Sequence, residues 1–124
     1  MTVTAGYKEL VLRLCAACNA GDRRGIEAVL TPDFADAGRC CGPDRFAARL
    51  ALVRRDVAEF RWDVLGLVAE GTTVALRVRL SGITGGRRLA VEQMHIYEGR
   101  DGRIASRQCV GGTDGPFDRL AAAS

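Results

Sequence analysis

With 124 residues, 48% of them apolar and 27% charged, the chain has the size and composition of one globular domain around a single core. Its formal charge is only +3, and arginine supplies nearly all of the positive side, Lys8 being the one lysine; these arginines are scattered, which excludes a basic stripe for nucleic acid. No apolar run nears the roughly 18 residues that cross a bilayer, and the start MTVTAGYKEL lacks the pattern of a signal peptide. A cytoplasmic domain with no membrane or nucleic-acid partner is expected.

From Gly6 to Ala20, Leu10, Val11, Leu14, Cys15 and Cys18 recur at the spacing of a helix that buries one stripe, and Asn19 and Gly21 end it. Asp22 is a suitable N-cap for a short second helix with Ile26, Val29 and Leu30 inward, stopped by Pro32. Pro43 opens a third, with Phe46, Leu50 and Val53 on one side up to about Asp56. After Glu59 the period falls to two: Phe60, Trp62 and Val64 form one strand, Val74, Leu76, Val78 and Leu80 a second. Turn signals at 70–72, 82–86 and 99–102 separate these from two last strands, about Arg88–Glu98 and Arg103–Gly111. The pattern predicts a single α+β domain over residues 1–124, three N-terminal helices packed on a curved antiparallel sheet, with a loose alanine-rich tail after Phe117.

The five cysteines are an odd number in a reducing compartment and make a disulfide framework a poor fit. Cys15 and Cys18 have the spacing of a metal or redox pair, but they fall inside a predicted helix, whereas a zinc knuckle presents its sulfurs from a turn. Cys40 and Cys41 are adjacent and no second CxxC accompanies them. Cys15 and Cys18 therefore read as small core residues, and no metal or other cofactor is expected.

In the order helix, NAGD, short helix, PDFAD, helix, four strands and DGRI, the chain resembles the nuclear-transport-factor-2-like superfamily, in its ketosteroid isomerase and SnoaL-type polyketide cyclase branches. The segments carrying the likeness are NAGDRRGIEAVLTPDF at 19–34 and HIYEGRDGRIASRQCVGG at 95–112. The resemblance implies a cone-shaped roll with an apolar pocket between the first helix and the bent sheet, and a homodimer formed through the outer face of the sheet. Carried over by position, the isomerase tyrosine falls at Leu14, its base at or near Gly38 and its protonated acid at Met94, while the SnoaL-type aspartate falls near Gly112. None of those groups is present, so steroid isomerisation by that route is not expected.

Replacements are sought on the final hairpin. If its turn is centred on Asp101 and Gly102, or is the four-residue loop GRDG, then Glu92, Met94 and Ile96 share a face with Arg107, Cys109 and Gly111. Since the resemblance puts Met94 in the cavity, Glu92 and Arg107 are candidate catalytic groups. Asp36 is a third, two residues before Gly38 on what reads as an extended segment. Leu14, Cys18, Trp62, Met94, Ile96 and Cys109 are expected to wall the pocket, whereas His95 alternates with Met94 and is expected to face away. Each acidic candidate also has a plain structural reading: Asp36 as a turn residue in PDFADAG, and Glu92 with Arg107 as a surface cross-strand ion pair.

The function expected is a cofactor-free cyclase or isomerase for a small, mostly apolar, oxygenated metabolite such as a polyketide intermediate. Asp36 or Glu92 would move a proton and Arg107 would steady negative charge. The alternatives are an epoxide hydrolase using an acidic pair and Arg107 to activate water, similar in kind to limonene-epoxide hydrolase, and a non-catalytic ligand-binding or dimerisation module.

Overall fold

The computed structural model describes residues 3–111, with the side chains of 3–5, 39 and 40 left aside; Gly112 and the tail after Phe117 lie outside the described residues. Helix α1 spans Val3–Ala20 and α2 Arg23–Val29. Between them Gly21 takes a left-handed φ of 65°, and the Asp22 side chain caps α2 by accepting from the Gly25 N–H at 3.0 Å. The chain then departs from the expected order. Leu30 begins a strand, β1 (Leu30–Asp36), and a two-residue β2 (Arg39–Cys40) follows before α3 (Gly42–Asp56). Three helices do not come first, because a strand pair intervenes.

The turn joining β1 to β2 is made by Ala37 and Gly38, both left-handed at φ 54° and 80°, so Gly38 is a hairpin corner and does not extend the segment that carries Asp36. The remaining strands follow the alternation in the sequence: β3 (Ala58–Glu70), β4 (Thr73–Thr84), β5 (Arg87–Arg100) and β6 (Arg103–Val110). The sheet runs β2-β1-β6-β5-β4-β3. It is mixed, not purely antiparallel, since β1 pairs with β6 in parallel. Pro32 stands where β1 has only sparse pairing, between the Leu30 and Ala35 registers, so its missing N–H costs little.

One face of the sheet is covered. The stripe Tyr7, Val11, Leu14, Cys15 and Cys18 of α1 joins Trp62, Leu76, Leu80 and Tyr97 from the strands in one core, with Phe46, Leu50 and Val53 of α3 closing it over β1. The two α1 cysteines are core residues, as expected; burial pushes the Cys15 thiol up to about 12 and Cys18 higher still, which keeps both protonated. Among the described residues no helix is long and apolar enough to cross a membrane.

Candidate functional site

The β5–β6 hairpin departs from the expected register at one residue. Near the turn, Arg100 faces Arg103 and Gly99 faces Ile104, as a turn at Asp101 and Gly102 requires. The next pair is Glu98 with Ser106, leaving Ala105 as an extra residue, a β-bulge. Beyond it Tyr97 faces Arg107 and His95 faces Cys109. One inserted residue exchanges the faces, because side chains alternate with period two. Gln93, His95 and Tyr97 therefore share the inner face with Arg107 and Cys109. Glu92, Met94 and Ile96 do not join that face: Glu92 is exposed and lies 4.0 Å from Arg77, and Met94 is exposed as well.

The parallel ladder between β1 and β6 brings in a further member, since Asp36 is the direct partner of Arg107. Arg107 Nε donates to Asp36 Oδ1 at 2.8 Å and Nη2 to Oδ2 at 3.1 Å, a bidentate pair whose side chains are 0% and 3% exposed. Burial works against the guanidinium charge, but Asp36 outweighs it and holds Arg107 protonated, its pKa above the ordinary arginine value. The Phe46 ring lies under it, 5.3 Å from Cζ to the centroid. From α3, Arg49 adds a second ion-pair partner to the carboxylate, its Nη2 3.1 Å from Oδ2, and the same nitrogen donates to Cys41 Sγ at 3.3 Å. An ionised carboxylate has about four lone-pair sites, and the two Arg107 bonds use two of them.

His95 stands on the other side of Arg107, with Nε2 3.4 Å from Nη1. Its Nε2 is also 2.8 Å from Gln93 Oε1, and its Nδ1 is 2.8 Å from the Tyr97 hydroxyl. The tautomer with its proton on Nε2 satisfies these partners together: Gln93 Oε1 accepts from the imidazole and, at 3.3 Å, from the Cys109 thiol, while Tyr97 O–H donates to Nδ1. Burial, and then the Arg107 charge, push the His95 pKa well below the ordinary imidazole value, so the ring is neutral near pH 7. Burial raises Tyr97 well above the usual phenol range, and its hydroxyl stays protonated.

Of the nine residues singled out from the sequence, Asp36, Arg107, Cys109 and Trp62 flank this buried group or belong to it, and Leu14 and Cys18 lie fully buried in the core beside it. Glu92, Met94 and Ile96 do not, for the register reason above. His95, Gln93, Tyr97 and Arg49 were not anticipated. The signal present was Ile104 with Arg107: an inward apolar residue and an inward arginine three apart demand an extra residue between them. Taken alone, three letters of that kind do not locate a bulge.

A sequence profile of the SnoaL-like domain matches residues 11–107. The chain belongs to the SnoaL-like domain family. SnoaL-like and ketosteroid isomerase-like structures share its nuclear-transport-factor-2-like fold. TsrD from Streptomyces laurentii superposes with a TM-score of 0.82 at 24% identity, covering 96% of this chain and 97% of that one. A SnoaL-like polyketide cyclase from Agrobacterium tumefaciens gives 0.80 at 16%, covering 93% and 98%. An LEH-like epoxide hydrolase from M. tuberculosis gives 0.77 at 22%, covering 97% and 88%. At these identities the likeness establishes the fold. No curated protein sequence matches the chain.

Proposed function

We propose that this SnoaL-like domain is a cofactor-free proton-transfer enzyme of the cyclase or isomerase type, acting on a small, mostly apolar, oxygenated metabolite such as a polyketide intermediate. The observation that carries the reading is the buried, bidentate Asp36–Arg107 pair beside a neutral histidine. Such a pair adds little to stability over apolar side chains of the same volume, so its place in the core calls for another reason. Asp36 offers the base, through carboxylate lone pairs that the two Arg107 bonds do not use. Arg107 offers a fixed positive charge that stabilises an oxyanion or enolate as it forms. His95 brings no second charge; it holds Gln93 and Tyr97 in place, and its ring borders Arg107.

The family resemblance supplies the substrate class, and the epoxide hydrolase alternative loses one of its two carboxylates with Glu92 on the other face. A ligand-binding module remains the rival, favoured by Leu14 and Gly38 standing where catalytic groups fall in the isomerase branch. Hydrogen–deuterium exchange at the carbon next to the carbonyl, followed by NMR over a panel of bicyclic ketones and 1,3-diketones, separates the two. Catalysed exchange that drops about a hundredfold in Asp36→Asn and in Arg107→Met supports the enzyme. Binding without exchange supports the module, and heavy oxygen from labelled water in a product supports a hydrolase.

The resemblance also proposes a homodimer through the outer face of the sheet. Val68, Met94 and Val110 are exposed there at 67%, 41% and 64%, an apolar strip that sedimentation equilibrium tests directly.

A further inference from the structure

Trp62 is the one tryptophan in the chain, 1% exposed, and its indole Nε1–H has no hydrogen-bond partner among the described residues. Nearby acceptors are in use: Gln93 Oε1 takes two donors, and His95 Nδ1 takes the Tyr97 hydroxyl. The indole stands edge-on to His95, 5.3 Å between ring centroids, and so borders the same buried group as Arg107. A buried N–H without an acceptor is a standing cost, and it is rare in native interiors.

The indole is also held in place. Its strand, β3, is an edge of the sheet, and the Trp62 peptide is paired by a side chain in place of a further strand. Asn19 Oδ1 accepts from Trp62 N–H at 2.7 Å, and Asn19 Nδ2 donates to Trp62 O at 2.9 Å. Arg54 Nη1 in turn donates to the Cys18 and Asn19 carbonyls at 3.1 and 2.8 Å, which closes the end of α1 and fixes Asn19. A donor left without a partner at the end of such a clamp is suited to meet an acceptor that the described residues do not supply.

We propose that Trp62 Nε1–H is the donor that receives the carbonyl oxygen of a bound ketone, and that Asn19 is the positioning residue that aims it. The inference rests on the reading of this interior as a ligand site, and it narrows the ligand class to molecules with a keto oxygen at this point. Here Trp62 selects for oxygen.

The single tryptophan makes the test direct, because 15N-labelled protein shows one indole N–H signal. The probes are α-tetralone and tetralin, two bicyclic molecules that differ by the carbonyl. The expected result is a downfield shift of the indole proton with α-tetralone and none with tetralin. Trp62→Phe should weaken α-tetralone binding about tenfold and leave tetralin binding within about twofold, which also shows that the variant is folded. Asn19→Ala should reduce the preference for the ketone in the wild-type background and cause no further reduction in the Trp62→Phe background. Equal shifts from both probes, an equal loss of both in Trp62→Phe, or no binding of α-tetralone at millimolar concentration would overturn the proposal. Binding and turnover fail separately: a ketone preference without exchange counts against the enzyme alone, and exchange without that preference counts against this inference alone.

Discussion

Two rows of side chains on β5, one residue out of phase, have opposite fates. Gln93, His95 and Tyr97 point inward and are 1%, 0% and 0% exposed, although two of the three are polar. Glu92, Met94 and Ile96 point outward, and Met94, an apolar residue, is 41% exposed. Hydropathy alone ranks the rows the other way. The lesson is that a row is placed by its cross-strand partners: the inner row faces Leu76 and Val78 on one side and Arg107 and Cys109 on the other, and it is kept there by hydrogen bonds along its whole length. The outer row needs no such network, because water or a second subunit can meet it.

The most severe way to break this contrast is to insert one alanine between Ala105 and Ser106. With one more residue behind the bulge, Ser106 would stand opposite Tyr97, and Arg107 and Cys109 would turn to the outer face, away from Asp36 and Gln93. The expected outcome is loss of a cooperative urea transition followed by Trp62 fluorescence; retention of wild-type cooperativity would show that the bulge does not set the faces. Next in size, Arg107→Met should cost about 3 kcal/mol in the same measurement, because among the described residues it leaves buried Asp36 with Arg49 as its one ion-pair partner. Adding Asp36→Leu should recover much of that loss. Glu92→Ala, on the outer row of the same sheet, should stay within about 0.5 kcal/mol of wild type.

The smallest effect sharpens the comparison through pH. His95 has a folded-state pKa well below its value in the unfolded chain, so the unfolded state takes up a proton first as pH falls. Stability is full above about pH 6.5 and declines as pH falls toward the folded pKa, by at most about 1.4 kcal/mol per pH unit for one proton. The midpoint of thermal unfolding of wild type should therefore fall from pH 7 to pH 5 by more than that of His95→Gln, which keeps a polar side chain and removes the titration. Parallel profiles would mean that the imidazole is not the group responsible.

Much of the domain was legible in order. Leu10, Val11, Leu14, Cys15 and Cys18 marked α1, Pro43 and Phe46 marked α3, and the alternation from Phe60 to Leu80 marked β3 and β4, because each signal is local and each turn residue is a local constraint. β1 was not legible as a strand. It pairs with the two-residue β2 and with β6, the latter 71 residues on at the Asp36–Arg107 pair, and nothing within LTPDFAD announces such a partner. The site followed the same division. Asp36 was reached through its place two residues before Gly38 and Arg107 through the facing pairs of the last hairpin, whereas His95 was lost to a one-residue error in register that no local pattern corrects.

What the sequence by itself determined is the helical stripe and the strands, since propensity, periodicity and turn chemistry act over a few residues; the family came from the resemblance of whole segments. What only the tertiary structure decided is which face each side chain takes. That choice depends on the Ala105 bulge, the parallel pairing of β1 with β6 and the Asn19 clamp on Trp62, all of them bonds between distant parts of the chain. A period of two carries no memory of which phase is inward; the phase is set when a partner strand or side chain is in place.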